Sequence, residues 1–454
     1  MDKTIFRAYD IRGIYPTQIN KDFAYQLGKA FGTIIKEKGQ KFTVIGYDNR
    51  ETSKPIFKSL SQGINDTGID VINLDLCTTP MYYFAWHHLK AQSGIMITAS
   101  HNPKEYNGFK LSFNGIYNAH GEQIEDFRDF IYKKKFAEGS GVVKQYNIKP
   151  PYLKYLFKDL QFGERKLKVV FDAGNGTATA VIQDVLNLMN IDYIPLYFES
   201  DPDFPNHHPD PSVPKNMLDL SQTVIKEKAD VGFAYDGDAD RIGMVNEKGE
   251  IIEADKIMII VVRNIIDNLK DKRILFDVKC SKALEDEIKK LGGIPILSRT
   301  GNSYLRAAVA RENIKFAGEF SGHIFFNDRF LGYDDSIYAS LRIIEILSNT
   351  PKKCSELLAG INHYYSTEEI KVKTPDKIKF KIIDEITKIG KMSNHEVITL
   401  DGCKVIYEDG FALIRASNTG PNITVRFEAL TEKRLNELKD YWLDELHKLL
   451  KKIS

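Results

Sequence analysis

The chain has 454 residues with 63 Lys and Arg against 62 Asp and Glu, for a net charge of +1; so balanced a chain excludes general nucleic-acid binding through a basic field. The length exceeds what one ordinary core sustains and implies three or four domains. Cys77, Cys280, Cys354 and Cys403 stand far apart with no metal or disulfide spacing, and the longest apolar run, Ile257 to Ile266, is broken by Arg263. A soluble, cytoplasmic protein with reduced thiols and no membrane or nucleic-acid partner is therefore expected.

The first motif is Tyr9-Asp10-Ile11-Arg12-Gly13, a polar turn in which Asp10 can orient the Arg12 guanidinium. A helical pattern from Lys21 to about Lys36 follows, then a strand from Phe42 to Gly46 running into Tyr47-Asp48-Asn49-Arg50. A further helix, a strand at Val71 to Leu74 and a helix near Tyr82 to Leu89 lead to the apolar run Gly94 to Ile97. This alternation predicts a mostly parallel sheet with helices on both faces. The run ends in Thr98-Ala99-Ser100-His101-Asn102-Pro103, which places Ser100 on an exposed turn at the carboxyl end of a strand, where α/β sheets bind ligands. Tyr106-Asn107-Gly108-Phe109-Lys110 reads as the continuation of that loop, a turn glycine delivering a lysine. Lys133-Lys134-Lys135 reads as a solvated helix end.

The pattern then restarts. Lys168 to Asp172 and Arg273 to Asp277 repeat the apolar strand that leads to Asp48, roughly a hundred residues apart, as three α/β units from an internal repeat would. The run Phe204 to Pro211, with His207 and His208, reads as a loop packed near an interdomain cleft rather than a metal site. The last eighty or so residues break the repeat. There, strands at Glu396 to Leu400, Lys404 to Tyr407, Phe411 to Ile414 and Ile423 to Phe427 precede a helix from Glu432 to Leu450, which predicts an antiparallel α+β domain. Tyr364 to Pro375 is read as the linker.

Three constellations carry chemistry. Asp236, Asp238 and Asp240 alternate between two strands, and three carboxylates so placed repel unless a hard cation such as Mg²⁺ sits among them. A calcium loop fits less well, because Arg241 stands at its sixth position, where that loop needs glycine, although Glu247 falls at the twelfth. Gly318 to His323 brings Glu319, Ser321 and His323 onto a glycine-flanked loop suited to sugar hydroxyls, or simply to a turn. Arg415-Ala416-Ser417-Asn418-Thr419-Gly420-Pro421, with Arg426 beyond it, suits an anion, arginine's fork matching phosphate oxygens. A serine together with a hard-cation site points to phosphoryl transfer rather than acyl transfer.

These signatures, in this order along essentially the whole chain, resemble the α-D-phosphohexomutase family, particularly its phosphomannomutase/phosphoglucomutase branch. The resemblance implies three similar α/β domains and a C-terminal α+β domain around a central cleft. Residues 1–150 would carry the phosphoserine loop, 151–254 the metal loop, 255–367 the sugar-recognition loop and 368–454 the phosphate-binding loop. It implies a phosphoryl group on Ser100, held with Mg²⁺ by Asp236, Asp238 and Asp240, and a hexose 1,6-bisphosphate that serves as intermediate and activator. Arg12 and Lys110 would assist proton transfer, with His101 and His323 in the catalytic group. Tyr9, Arg241, Arg299, Glu319, Ser321, Arg415, Ser417, Asn418, Thr419 and Arg426 would contact substrate. The expected activity interconverts hexose 1- and 6-phosphates of mannose or glucose in a monomer or weak homo-oligomer. A phosphoglucosamine mutase, a phosphatase-like hydrolase and a sugar-phosphate-binding protein without turnover stand as alternatives. Ala239 replaces a frequent glycine, Arg299-Thr300-Gly301-Asn302 stands where many members have Lys-Thr-Gly-His, and Gly420 replaces a frequent glutamate.

Overall fold

The computed structural model describes residues 2–133, 135–417 and 420–453. Four sheets follow one another along the chain. In the first, Phe42–Tyr47 lies between Asp70–Leu76 and Gly94–Ile97, both parallel to it. Tyr106–Ser112 then returns antiparallel to Gly94–Ile97. Lys168–Asp172, Asp192–Leu196, Val231–Tyr235 and Ile242–Asn246 repeat this arrangement in the second sheet. Arg273–Asp277, Ile294–Ser298, Phe316–Gly318 and Ile324–Phe326 repeat it in the third. The repeat read from three aspartate-ended strands is therefore a repeat of topology. The fourth sheet is antiparallel throughout.

The turn between the third and fourth strands of each unit holds one signature loop: the Ser100 loop, the aspartate loop and the Glu319 loop. A chain leaving a parallel strand and returning beside it must reverse at the sheet's carboxyl end, so three homologous turns occupy equivalent places. Asp48 and Asp277 tie this arrangement together from beneath. Asp48 accepts from the Ala99 amide at 3.4 Å, and Asp277 accepts from the Phe320 amide at 3.1 Å. Each thus holds the signature loop of its own unit.

Local sequence accounts for the flanking helices. Asn20 caps Lys21–Glu37 by accepting from the Phe23 amide at 2.9 Å, and Phe23, Leu27, Phe31 and Ile35 recur at four-residue spacing on its buried face. Burying each such side chain contributes about 1.5–3 kcal/mol. Thr78 caps Thr79–Leu89, whose first residue donates its amide to the Asp238 carbonyl at 2.9 Å. The final helix, Glu432–Ile453, buries Leu435, Leu438, Trp442 and Leu446 on the fourth sheet.

Three sequence expectations change. The segment read as a linker contributes Tyr365–Ser366 and Ile370–Lys373, both paired with Asn422–Ala429, because its alternating residues present backbone to an open sheet edge. Residues 106–110 are strand rather than turn. Gly108 serves close approach there, since a side chain would strike the carbonyls of Ile11 and Thr98. Ser100 is buried, at 3% exposure, because the aspartate loop of the second unit lies on it.

Candidate active site

Tyr9, Arg12, Ser100, His101, Lys110, Arg241, Glu319, Ser321, His323, Arg415 and Ser417 line one cavity of about 610 Å³, drawn from all four units. Asp236, Asp238 and Asp240 lie beneath it, each 0% exposed. Asn418 and Thr419 lie outside the described residues. Two candidates are not in the lining. Arg299 is exposed, its guanidinium 4.6 Å from the centre of the Tyr304 ring. Arg426 is buried beneath the cleft, stacked 4.2 Å from the centre of the Phe320 ring and donating to the Lys279 carbonyl. Its position on a strand face that packs against the third unit accounts for this; the residue holds the fourth unit to the Glu319 loop.

The Ser100 loop is clamped from the strand end before it. The Arg50 guanidinium donates to the carbonyls of Ser100 at 2.9 Å, Asn102 at 2.6 Å, Pro103 at 2.7 Å and Tyr106 at 3.1 Å, while pairing with Asp48. Ser100 itself has φ +50°, a left-handed conformation uncommon for a residue with a side chain. Its hydroxyl donates to Asp236 Oδ2 at 2.9 Å and lies 3.1 Å from His101 Nδ1. His208 Nε2 bonds the His101 carbonyl, so the proline- and histidine-rich loop does pack at this boundary. Arg12 pairs with Asp10 and donates to Asn102 Oδ1 at 2.7 Å.

The electrostatics centre on the aspartates. Lys110 Nζ sits 2.7 Å from Asp238 Oδ2 and 2.6 Å from Asp240 Oδ2, and Thr79 donates to Asp238 Oδ2 at 2.6 Å. Burial drives Asp236 well above the usual carboxylate range, and the charges of Asp240 and Asp238 push it further. Burial and the neighbouring Asp238 also raise Asp240. Asp238 goes the other way: burial opposes its charge, but the Lys110 ammonium and the hydrogen bonds from Lys110 and Thr79 outweigh burial and lower its pKa. For Lys110 burial is again the opposing force, and the two aspartates hold the ammonium well above its ordinary range.

One carboxylate oxygen from each of the three aspartates lies within 4.8 Å of the others. Asp238 Oδ1 and Asp240 Oδ1 are buried without a hydrogen-bond partner. Three buried carboxylates against the Lys110 ammonium and the Arg241 guanidinium, 3.9 Å from Asp236 Oδ2, still leave an excess of negative charge in a buried site. That donor set fits a hard divalent cation with oxygen ligands.

Sequence reasoning missed several lining groups. Lys279, Glu369, Lys371 and Thr424 line the same cavity as Arg415, and Asp401 holds the Arg415 guanidinium at 2.9 Å while accepting from the Thr300 amide at 3.0 Å. A signal was available for two missed cations. Arg50 and Lys279 each stand two residues after a repeated strand-end aspartate, Asp48 and Asp277.

Models of the phosphoglucomutase/phosphomannomutase domains match the chain in order. Alpha/beta/alpha domain I falls at residues 3–138, domain II at 150–249, domain III at 253–364 and the C-terminal domain at 369–445. The chain belongs to the phosphoglucomutase/phosphomannomutase family. A phosphomannomutase/phosphoglucomutase of Pseudomonas aeruginosa is 38% identical over 443 residues, covering 98% of this chain and 95% of that protein. A phosphoglucomutase of Neisseria meningitidis is 37% identical, covering 96% and 95%. The crystal structure of a phosphoglucomutase/phosphomannomutase family protein from Burkholderia thailandensis superposes with a TM-score of 0.92 at 34% identity, covering 98% of this chain and 97% of that one.

Proposed function

We propose that the cleft interconverts the 1- and 6-phosphates of mannose, glucose or both, through a phosphoserine at Ser100 and a hexose 1,6-bisphosphate. The protein is a hexose-phosphate mutase, an isomerase, as its full-length similarity to named mutases supports. The observation that carries the mechanism is the junction of Ser100 with the aspartate loop, which places a hydroxyl 2.9 Å from one of three buried carboxylates.

In the forward half-reaction the bond between phosphorus and Ser100 Oγ breaks as a bond from phosphorus to the sugar hydroxyl oxygen forms; that hydroxyl loses its proton, and Ser100 Oγ ends the half-reaction protonated as the free hydroxyl. Asp236, Asp238 and Asp240 would hold a Mg²⁺ ion, which neutralises charge on the transferring phosphoryl group when bound. Lys110 bears its positive charge on the same aspartates. His101 Nδ1 faces the serine oxygen that becomes the leaving group. The bisphosphate then turns, its other phosphate returns to Ser100, and the isomeric monophosphate departs. Glu319 and Ser321 face the sugar, while Arg415 and Ser417 grip the phosphate that does not react. All these loops come from one chain, so the site needs no second copy. Among the described residues no helix is long and apolar enough to cross a membrane. The four cysteines are buried and unpaired, which supports a reducing, cytoplasmic setting.

A coupled assay with Mg²⁺ and a trace of hexose 1,6-bisphosphate, comparing mannose, glucose and glucosamine phosphates, tests the reading. Release of inorganic phosphate instead of the isomeric sugar phosphate would overturn it.

A further inference from the structure

We propose that His207 is a positioning residue: a doubly protonated ring held between the Asp172 carboxylate and the His208 carbonyl, it fixes loop 201–210, which clasps the Ser100 loop to the aspartate loop. The inference deepens the mutase reading and rests on it for its purpose, because phosphoryl transfer at Ser100 depends on where that junction sits.

Asp172 is the third of the repeated strand-end aspartates, and it works differently from the other two. Asp48 and Asp277 each accept an amide of their own signature loop directly, from Ala99 and Phe320. Asp172 is 0% exposed, accepts from the Gly174 amide through Oδ1 at 2.9 Å and meets His207 Nε2 through Oδ2 at 2.8 Å. In the aspartate loop the Gly237 amide donates to the Pro209 carbonyl at 3.1 Å. The second unit's strand-end aspartate therefore reaches its signature loop through loop 201–210.

The same loop meets the Ser100 loop at three points. His208 Nε2 donates to the His101 carbonyl, and Asp203 pairs with Lys104 at 2.8 Å. The buried Phe204 ring has its centre 5.7 Å from the Arg50 guanidinium that clamps the Ser100 loop. The Asp203 pair is exposed and contributes little. The inner contacts run through His208 and Pro209, the two residues after His207, so the seat of His207 sets both.

Donor chemistry sets the charge on the ring. His207 Nδ1 lies 3.0 Å from the His208 carbonyl oxygen, as Nε2 lies against Asp172. A carbonyl and a carboxylate only accept, so each nitrogen carries a hydrogen and the ring is an imidazolium. Such a ring has no lone pair for a metal, although two histidines stand side by side here. Neither of its partners belongs to the aspartate triad. The titratable groups facing it from other elements are Asp172, which ends Lys168–Asp172, Tyr197, and Asp219 of the helix Leu218–Glu227. The Tyr197 ring centre is 5.3 Å away, and its hydroxyl donates to Asp219 at 2.6 Å. Burial opposes the second proton, but the bond to Asp172, its charge, the bond to the His208 carbonyl and the charge of Asp219 outweigh burial and raise the ring above its ordinary range. A ring that loses one proton has one N–H for two acceptors, so one bond fails. The clasp is thus complete below about pH 6.5, the ordinary histidine value, and weakens as pH rises through the raised one.

The test begins with a long-range ¹H–¹⁵N spectrum of the full-length protein labelled at its histidine rings, at neutral pH without sugar phosphate. The His207 signals are those that vanish in His207→Gln. Both nitrogens should carry protons in the wild type, and Asp172→Asn should shift the ring to its neutral form at the same pH. A neutral wild-type His207, or a spectrum in which none of the 10 histidines is doubly protonated, overturns the proposal whether or not either variant folds. So does a folded Asp172→Asn that keeps the doubly protonated ring. Kinetics then separate positioning from plain stability. His207→Gln should lower kcat by up to about 100-fold with KM unchanged, because the Ser100 junction shifts while the grip at Arg415 does not. Wild-type kcat should also fall toward alkaline pH at the midpoint the ring shows in the spectrum, a step the variant lacks. A folded His207→Gln with wild-type kcat, or with the same alkaline step, overturns the proposal. A doubly protonated ring in a protein that fails the mutase assay would support the clasp and reject the mutase reading.

Discussion

The Ser100 hydroxyl donates to Asp236 Oδ2 at 2.9 Å, across 136 residues of sequence and from one sheet to the next. That bond joins the hydroxyl proposed to carry the phosphoryl group to an aspartate proposed to hold the cation, and neither loop contains both. The backbone approach is as close: a Cβ built on Gly237 would lie 2.5 Å from the Ser100 carbonyl oxygen.

Gly237 therefore has a purely steric role, since its φ is not left-handed. Gly237→Ala should force the two loops apart and destabilise by about 1–3 kcal/mol, as overpacking does. Activity should fall by more than stability explains, because the Ser100 to Asp236 distance grows. Urea unfolding alongside the mutase assay measures both, and a fully active Gly237→Ala would show that the loops tolerate separation.

Two residues on, the sign reverses. Ala239 has φ +60° and receives a hydrogen bond from Ser336 on its carbonyl. A left-handed conformation costs an alanine roughly 1–2 kcal/mol, part of which glycine's greater chain entropy offsets. Ala239→Gly should stabilise by up to about 1 kcal/mol. Lower stability on unfolding would mean that the alanine methyl packs better than its backbone suggests.

Ser100→Ala should abolish turnover while leaving the fold in place, because the loop is held through backbone carbonyls by Arg50 rather than through the serine hydroxyl. Intact mass should show a phosphate-sized satellite in the wild type that the variant lacks. Mutase rates near wild type in the variant would reject the phosphoserine.

Removing divalent cations with a chelator should silence the enzyme, and Mg²⁺ should restore it better than Ca²⁺, which prefers more ligands at longer distances than this compact triad offers. Asp238→Asn should weaken the response to Mg²⁺ and also strip Lys110 of one partner. Full activity after chelation would remove the cation from the mechanism.

Arg415→Ala should raise KM for both the 1-phosphate and the 6-phosphate, since each isomer must place its fixed phosphate in the same grip. Losing a charge-assisted hydrogen bond costs about 1.5–3 kcal/mol, roughly ten- to a hundredfold. Among the described residues, the variant also leaves Asp401 with only the Thr300 amide as a donor. An effect confined to one isomer would show that the grip is not shared.

The sequence by itself determined the repeated units and pointed to their chemistry. Apolar strands ending in Asp48, Asp172 and Asp277 announced a repeat because strand burial is written in consecutive residues, and alternating Asp236, Asp238 and Asp240 announced a cation site because like charges crowd only for a reason. Local patterning also placed the helices Lys21–Glu37 and Glu432–Ile453 to within a turn at each end. Tertiary structure decided what each side chain meets. Arg415 and Arg426 are eleven residues apart on neighbouring strands, yet one lines the cleft while the other lies beneath Phe320. Sheet register and the packing of the fourth unit on the third make that choice. Asn302 and Arg50 carry no motif in isolation; the Asn302 side chain meets Asp334 32 residues away, and Arg50 meets carbonyls 50 to 56 residues away. Ser100 read as exposed because a turn of small polar residues ordinarily faces water, and it is buried because another unit's loop lies across it. A side chain's partners depend on where distant segments cross, and no local pattern records that crossing.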